Sequence, residues 1–271
     1  MTAEANLTMT TVPSPDGTRI ACFASGSGPP LLLVHGVLGD HTRWDALRPE
    51  LDDHATVYAI DRRGRGASGD HDRYDVEREF EDIAAVVDAL AAHHGTAVDV
   101  YGHSGGASFA LGAATLTANV GRLGLYEPAT DPGALLPPGF LDRLEALLAD
   151  QDHDGVVETF CHEVLHMPDE QLSIYRSHPS WAARVSAAPT LPRELAVPPA
   201  KLFDLDRAAR VTVPTLILTG DQTPAGFTAG VDVVAAAIPD TRVQALEGQG
   251  HTADVVAPDL VAKHVRAFLS R

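Results

Sequence analysis

Short apolar runs alternate with longer amphipathic segments along most of this chain of 271 residues. The run at residues 31–34 is apolar throughout, which is typical of a strand buried on both faces of a parallel sheet. In the segment 76–92, apolar residues recur at helical spacing from Val76 to Leu90, which predicts a helix that covers such a sheet. The two patterns repeat in turn.

The pattern predicts eight strands and at least five helices in the core. The strands are predicted at residues 8–12, 18–24, 31–34, 56–60, 97–101, 122–127, 214–219 and 242–246. The helices are predicted at residues 42–51, 76–92, 105–116, 231–237 and 258–269. The first two strands are joined by a turn at residues 14–17, as in a hairpin. Alternating strands and helices then indicate an α/β fold with a mostly parallel sheet and helices on both faces.

A different pattern fills residues 131–206, where we find no convincing strand. Helical stretches at residues 140–149, 156–166 and 170–176 are separated by prolines. An all-helical insertion after one strand of an open sheet is well placed to cover the carboxyl ends of the strands, where such folds bind ligands. We therefore predict a core domain of residues 1–131 and 207–271 and a helical cap of residues 132–206.

Composition narrows the class of partner. The chain is 45% hydrophobic, enough for a full core, and its 37 acidic against 20 basic residues give a formal net charge of -17. Such a charge argues against nucleic acid or an anionic membrane as a partner. It says little about a small-molecule substrate, which responds to the local field of a pocket and which we expect as the partner; the oligomeric state stays open. Residues 1–10 show no export signal, and we expect a cytoplasmic protein. Cys22 and Cys161 are far apart in sequence and form no metal-type cluster.

The sequence Gly102-His103-Ser104-Gly105-Gly106 lies between a predicted strand and a predicted helix. A Gly-x-Ser-x-Gly sequence in that context is a nucleophile elbow, a strained turn that exposes the serine hydroxyl above the sheet. Side chains at Gly102 or Gly106 would collide where the strand and the helix pass closest. The alternative is a glycine-rich turn that happens to contain serine, and the flanking motifs must decide.

Four motifs in order resemble those of the α/β-hydrolase superfamily over nearly the whole chain. They are His35-Gly36 after the third strand, Asp-Arg-Arg-Gly-Arg-Gly-Ala-Ser at 61–68, the elbow, and Gly-Gln-Gly-His at 248–251 before the last helix. The resemblance implies an α/β-hydrolase fold with a mostly parallel eight-stranded sheet and a helical cap. It also implies Ser104 as the nucleophile and His251 as the general base. The backbone amides of Val37 and Gly105 would form the oxyanion hole.

The acid of the triad departs from the family pattern. Many members carry a Gly-x-x-Asp sequence after the seventh strand, and here Thr223 occupies the place of that aspartate. Two carboxylates are candidates instead: Asp221, two residues earlier, and Glu127, at the end of the sixth strand. We favour Glu127 because some α/β hydrolases, including a group of haloalkane dehalogenases, carry their acid there. The alternative for Glu127 is a salt bridge to an arginine of the segment 62–65.

A second motif, His162-Glu163-Val164-Leu165-His166, has the spacing of a zinc-protease helix. It lies in the predicted cap, and no third ligand is evident downstream. We interpret its histidines as solvated or pocket-lining residues and expect neither a metal nor another cofactor.

The motif set predicts a cofactor-free serine hydrolase that cleaves a small ester, lactone or thioester through an acyl-enzyme. The missing Gly-x-x-Asp acid motivates an alternative from another class, a ligand-binding or non-hydrolytic protein such as a lyase, a cyclase or a receptor-like member. A carbon–carbon hydrolase or a perhydrolase would use the same triad with a different pocket.

Overall fold

An eight-stranded sheet forms the centre of the computed structural model, which describes residues 7–177 and 180–270. Its strands lie in the order β1-β2-β4-β3-β5-β6-β7-β8. They are β1 (Thr8–Pro13), β2 (Arg19–Gly26), β3 (Pro30–Val34), β4 (Thr56–Ile60), β5 (Val98–His103), β6 (Val120–Tyr126), β7 (Thr215–Gly220) and β8 (Thr241–Leu246). The predicted α/β fold with its mostly parallel sheet is confirmed, since only the β1–β2 and β2–β4 pairs are antiparallel.

Twelve α-helices are found in the described residues. They are α1 (Val76–His94), α2 (Gly105–Ala113), α3 (Phe140–Ala149), α4 (His153–Glu163), α5 (Asp169–Ser177), α6 (Trp181–Ala187), α7 (Leu191–Leu195), α8 (Pro199–Leu202), α9 (Leu205–Ala208), α10 (Ala225–Ala237), α11 (Ala253–Val256) and α12 (Pro258–Leu269). None of the described helices is both long and apolar enough to span a bilayer.

The central strands bury both faces, as their apolar runs predict. Successive side chains of a strand point to opposite faces, so Leu32 packs with α1 and α2 while Leu31 and Leu33 pack with α12. The two clusters form one apolar layer on each side of the sheet. The carboxyl ends of the parallel strands are therefore held in fixed positions, and the loops that leave them have a rigid base.

The helix predicted at residues 42–51 was wrong. The chain there forms two 3₁₀ turns, His41–Trp44 and Arg48–Glu50. Pro49 has no N–H to donate to a carbonyl one α-helical turn earlier, and its ring disfavours the α conformation for the preceding residue. Arg43 lies in the first of these turns, at the carboxyl edge of the sheet, and its guanidinium forms an ion pair with Asp254.

The helices between β6 and β7, from α3 to α9, include a separate apolar cluster. Phe140, Leu144, Val156 and Leu191 belong to this cluster, and so does Leu38 from the loop after β3. Glu194 of α7 also forms buried ion pairs with Arg62 and Arg65 of the loop after β4. The helical segment thus packs against two loops at the carboxyl edge of the sheet.

Candidate active site

Ser104 lies in the sharp turn between β5 and α2. Its backbone has φ 56° and ψ -127°, a conformation that a residue with a side chain adopts only under strain. A Cβ atom at Gly106 would lie 2.3 Å from the carbonyl oxygen of Val34, and one at Gly102 would lie 2.6 Å from the carbonyl oxygen of Gly106. The turn therefore has the close approach of backbones that a nucleophile elbow requires.

Val37 and Gly105, the two predicted oxyanion residues, line the same cavity as Ser104. Gly105 is the first residue of α2, and Val37 lies beside it, since a Cβ atom on Gly105 would be 3.8 Å from Cγ1 of Val37. Among the described residues, neither amide donates a hydrogen bond to another protein group. A pair of unused donors beside a serine hydroxyl is the arrangement of an oxyanion hole.

His35 holds the loop that carries Val37. The ring is fully buried; its Nε2 accepts a hydrogen bond from the amide of Arg62 at 3.2 Å, and its Nδ1 lies 2.8 Å from the carbonyl oxygen of Gly36. Burial and the charge of Arg62 hold the pKa of His35 well below its ordinary value. The neutral ring is therefore a structural bridge between the loops after β3 and β4.

Glu127 and His251 meet at the end of β6. Oε2 of Glu127 lies 2.5 Å from Nδ1 of His251. The other oxygen, Oε1, accepts hydrogen bonds from the Thr219 hydroxyl at 2.9 Å and from the Gly220 amide at 2.8 Å. Glu127 is 1% exposed and has φ 44°, so its backbone is also strained. The bonds to Oε1 fix the carboxylate so that Oε2 faces Nδ1 of His251.

The pKa of Glu127 lies below its ordinary value. Burial by itself favours the neutral acid, but this effect is outweighed by the hydrogen bond and charge of His251 and by the amide of Gly220. The carboxylate is therefore ionised at neutral pH and can hold a proton on Nδ1 of the imidazole.

The other predicted acid, Asp221, does not reach His251. Its side chain is exposed, and its Oδ1 accepts hydrogen bonds from the Gly248 amide at 2.8 Å and from the Gln222 side chain at 3.1 Å. The alternative of a salt bridge from Glu127 to the arginine segment is not what the structure shows. Arg62 and Arg65 pair with Glu79 and Glu194 instead.

The loop that carries His251 is fixed from two sides. The Tyr126 hydroxyl donates a hydrogen bond to the carbonyl oxygen of Gly250 at 2.6 Å, and Nε2 of His103 lies 2.7 Å from the carbonyl oxygen of His251. The His251 ring packs between the rings of His103 and Phe227, at centroid distances of 4.6 and 4.7 Å. This packing restricts the imidazole to one region above the elbow.

Ser104 and His251 line one cavity, but no hydrogen bond between their side chains is formed in the part of the chain that the structure describes. In ligand-free sites the contact between nucleophile and base is often long, and it tightens only when a substrate is present. The observed arrangement is compatible with a Ser-His-Glu relay.

Ser104 lines two neighbouring cavities. The larger, of about 110 Å³, is lined mainly by apolar residues, including Phe109, Leu135, Phe160 and Phe227. The smaller, of about 60 Å³, contains His103, His251 and two arginines, Arg43 and Arg184. A bound molecule can therefore place an apolar part on one side of the serine and a polar part on the other.

Sequence reasoning missed Arg43 and Arg184. Arg43 forms a two-point ion pair with the buried Asp254, with N–O distances of 3.1 and 2.8 Å. Arg184 lies on α6 in the sequence Trp-Ala-Ala-Arg-Val-Ser-Ala, which has no acidic residue within one helical turn. This local pattern does not distinguish Arg184 from an exposed arginine, because its burial, and with it the need for a partner, is seen only in the folded structure.

The His-Glu-x-x-His motif does not assemble as a metal site. Helix α4 ends at Glu163, which pairs with Arg143, and His166 lies beyond the helix with φ 51°. The two imidazoles therefore do not share a helical face. Elsewhere Asp40, His41 and Asp61 bring ligand atoms within 4.8 Å of one another, but His41 is bound to Asp61 and stacked on Phe23.

The chain is similar to known proteins over most of its length. The model of a family described as the alpha/beta hydrolase family matches residues 31–264. A crystal structure of an alpha/beta hydrolase from Sphaerobacter thermophilus is 39% identical with a TM-score of 0.82, over 96% of this chain and 100% of the other.

Two further proteins are similar over most of their length. The 2-(acetamidomethylene)succinate hydrolase of Mesorhizobium japonicum is 26% identical over 90% of this chain and 89% of its own. An esterase from Exiguobacterium antarcticum, 22% identical over 97% of this chain and 100% of its own, has the same fold with a TM-score of 0.76.

Proposed function

Since this chain belongs to the alpha/beta hydrolase family, we propose that it is a serine hydrolase that cleaves a small ester, lactone or thioester through an acyl-enzyme. The observation that carries the proposal is the 2.5 Å contact between Glu127 and His251 beside the strained Ser104. A carboxylate, an imidazole and a serine at an elbow are the groups that acyl transfer requires.

In the first step, Oγ of Ser104 attacks the acyl carbonyl carbon while His251 accepts the hydroxyl proton. Glu127 stabilises the resulting imidazolium through Nδ1 and keeps the ring in one orientation. The amides of Val37 and Gly105 donate hydrogen bonds to the oxygen on which negative charge develops. Groups held in place before the reaction stabilise that charge without the cost of reorganisation.

In the second step, the tetrahedral species collapses and His251 gives its proton to the departing alcohol or thiol. The acyl group stays on Ser104 as an ester. A water molecule then gives a proton to His251 and attacks the carbonyl carbon of that ester. When this second tetrahedral species collapses, the acid leaves and His251 returns the proton to Oγ of Ser104.

We assign the helical segment 132–206 to a cap over the reaction centre. Phe160 and Val164 of this segment line the larger cavity together with Ser104 and Val37. A cover of apolar side chains excludes water from the oxyanion and so strengthens its hydrogen bonds. The size of the cavities favours small substrates.

The proposal is tested by intact-mass measurement after treatment with a small fluorophosphonate. Wild-type protein is expected to gain one phosphonyl group, and Ser104→Ala none, with the same contrast in turnover of 4-nitrophenyl acetate. Circular dichroism shows that both proteins are folded. Absence of the adduct in folded wild-type protein, or turnover that survives Ser104→Ala, would overturn the serine mechanism and favour a binding or non-hydrolytic function.

A further inference from the structure

Arg184 is a buried cation without a carboxylate partner among the described residues. It is 9% exposed, its Nε has no hydrogen-bond partner, and its Nη1 makes only a long contact of 3.5 Å with the carbonyl oxygen of Leu38. The guanidinium stacks on the ring of Tyr175, with 4.5 Å from Cζ to the ring centroid. These contacts hold the side chain in place without neutralising its charge.

The other arginines near the site contrast with Arg184. Arg62 and Arg65 are paired with Glu79 and Glu194, and Arg43 is paired with Asp254. An ion pair offsets much of the free energy that it costs to remove a charge from water. Arg184 therefore keeps a charge whose burial is not compensated inside the described protein.

None of the groups around Arg184 forms an ion pair with it in the described part of the chain. Burial raises the pKa of the Cys161 thiol to about 11 and raises the pKa of Tyr175 above its ordinary value, so both side chains are neutral. Asp40 attracts Arg184 but forms no ion pair with it in the described structure, and its carboxylate caps the turn at Thr42.

The position of Arg184 connects it with the reaction centre. It lines the smaller cavity together with Ser104, His251 and Val37, and its Nη1 contacts Leu38, the residue next to Val37. A group bound against this guanidinium would lie on the same wall as the oxyanion amides. The larger cavity, on the other side of Ser104, offers an apolar surface instead.

We propose that Arg184 binds a carboxylate of the substrate, so that this enzyme acts on small esters or thioesters that carry a free carboxyl group. A guanidinium matches a carboxylate with two parallel N–H···O hydrogen bonds, which fixes the orientation of the bound group as well as its charge. The proposal rests on the proposed serine hydrolase function and adds the chemical class of its substrate.

The total charge of the protein does not favour an anionic substrate. A formal net charge of -17 repels anions at long range. The guanidinium of Arg184 supplies a local positive charge in the cleft that offsets this repulsion for a carboxylate. Close contact in a pocket of low dielectric outweighs the screened field of distant surface charges.

The test compares two esters that differ by one charge, 4-nitrophenyl hemiglutarate and its methyl ester. Arg184→Met is expected to lower the ratio of their kcat/KM values by about 10- to 100-fold, mainly through KM, since a charge-assisted contact contributes about 1.5–3 kcal/mol. Arg184→Lys should restore part of this ratio. Arg143→Met, an exposed arginine on α3 of the same helical segment, should leave it unchanged.

A binding measurement does not depend on turnover. It also does not depend on whether the natural substrate carries its carboxylate on the acyl part or on the alcohol or thiol part. Glutarate is titrated calorimetrically into Ser104→Ala and into the double variant Ser104→Ala/Arg184→Met, and Kd is expected to be about ten times weaker for the latter. An unchanged ester ratio together with an unchanged Kd would overturn the role of Arg184.

Failure of this proposal and failure of the serine mechanism give different results. If Ser104 reacts with the fluorophosphonate and Arg184→Met alters neither selectivity nor glutarate binding, only the carboxylate site is refuted. If Ser104 does not react although Arg184 binds glutarate, the serine mechanism fails and the carboxylate site stands on its own.

Discussion

The Glu127 carboxylate and Nδ1 of His251 lie 2.5 Å apart although the two residues are separated by 124 positions in the chain. Strand β6 creates this contact. Tyr126 pairs with His103 across the β5–β6 ladder, so the residues that follow them, Glu127 and Ser104, leave the sheet side by side. A single edge of two adjacent strands thus carries the proposed acid and the proposed nucleophile. The loop after β8 places His251, the proposed base, against Glu127 and in one cavity with Ser104.

Replacing Glu127 by glutamine should lower kcat for 4-nitrophenyl acetate by about 10³- to 10⁴-fold. An amide is nearly isosteric with the carboxylate but cannot stabilise the imidazolium, and it favours the wrong tautomer of the ring. Asp221→Asn is the matched control, because its exposed side chain contacts the Gly248 amide rather than His251. A larger loss in Asp221→Asn than in Glu127→Gln would transfer the role of the acid to Asp221.

The same variant should alter the pH dependence of stability. The pKa of Glu127 is lower in the folded protein than its ordinary value of 4.5, so the ionised carboxylate stabilises the fold above that value. As the pH falls through the folded-state pKa, the carboxylate binds a proton and this contribution is lost. Urea titrations of wild type and Glu127→Gln from pH 7 to pH 3 should show their difference shrinking toward low pH. A difference that is constant or that grows with acidity contradicts the expectation.

Relief of backbone strain should make Ser104→Gly more stable than Ser104→Ala. A non-glycine residue at φ 56° carries about 1–3 kcal/mol of strain, and glycine avoids it at an entropic cost of about 0.5–1 kcal/mol. We therefore expect a net gain of about 1 kcal/mol in the free energy of unfolding. Both variants lack the hydroxyl, so urea titration compares only their backbones. Equal or lower stability of the glycine variant would show that the elbow is not strained in solution.

Loss of the charge of Glu194 should destabilise the protein by about 3–5 kcal/mol. Glu194 is 4% exposed and pairs with the buried Arg62 and Arg65, which Glu194→Gln would leave with an uncompensated charge. The control is Glu163→Gln, whose partner Arg143 is exposed and whose loss should cost less than about 1 kcal/mol. Urea denaturation measures both, and similar values for the two variants would refute the structural role of the buried cluster.

The positions of Ser104, Val37 and Glu127 after the ends of strands could be predicted from sequence because each lies in or beside a short motif next to a strand, while their catalytic roles stay predictions. Ser104 follows β5 and Glu127 follows β6, and the parallel sheet places both at one edge. The boundaries of β4 and α12 were also predicted correctly, since both elements have uninterrupted patterns between clear breaks.

Arg184 could not be found in this way because it is distinguished by the lack of a carboxylate partner in the described part of the folded protein. Its environment is made by α4, α5 and the loop after β3, segments that are distant in sequence. The turns at residues 41–50 were missed for a related reason. The apolar spacing there resembles that of a helix, and the effect of Pro49 on the backbone outweighed the pattern.

The placement of Glu127 on β6 has a consequence for how such a protein can be recombined. The proposed nucleophile, the proposed acid and both proposed oxyanion amides lie within residues 37–127, on one uninterrupted stretch of chain that ends before the helical segment begins. A crossover between residues 128 and 206 would exchange the helices that follow it in the chain. All four groups would still come from the same parent protein. In relatives with the acid after β7, the same crossover would take the nucleophile and the acid from different parents. The downstream parent would then have to supply His251 and the two groups that hold Glu127, the Thr219 hydroxyl and the Gly220 amide.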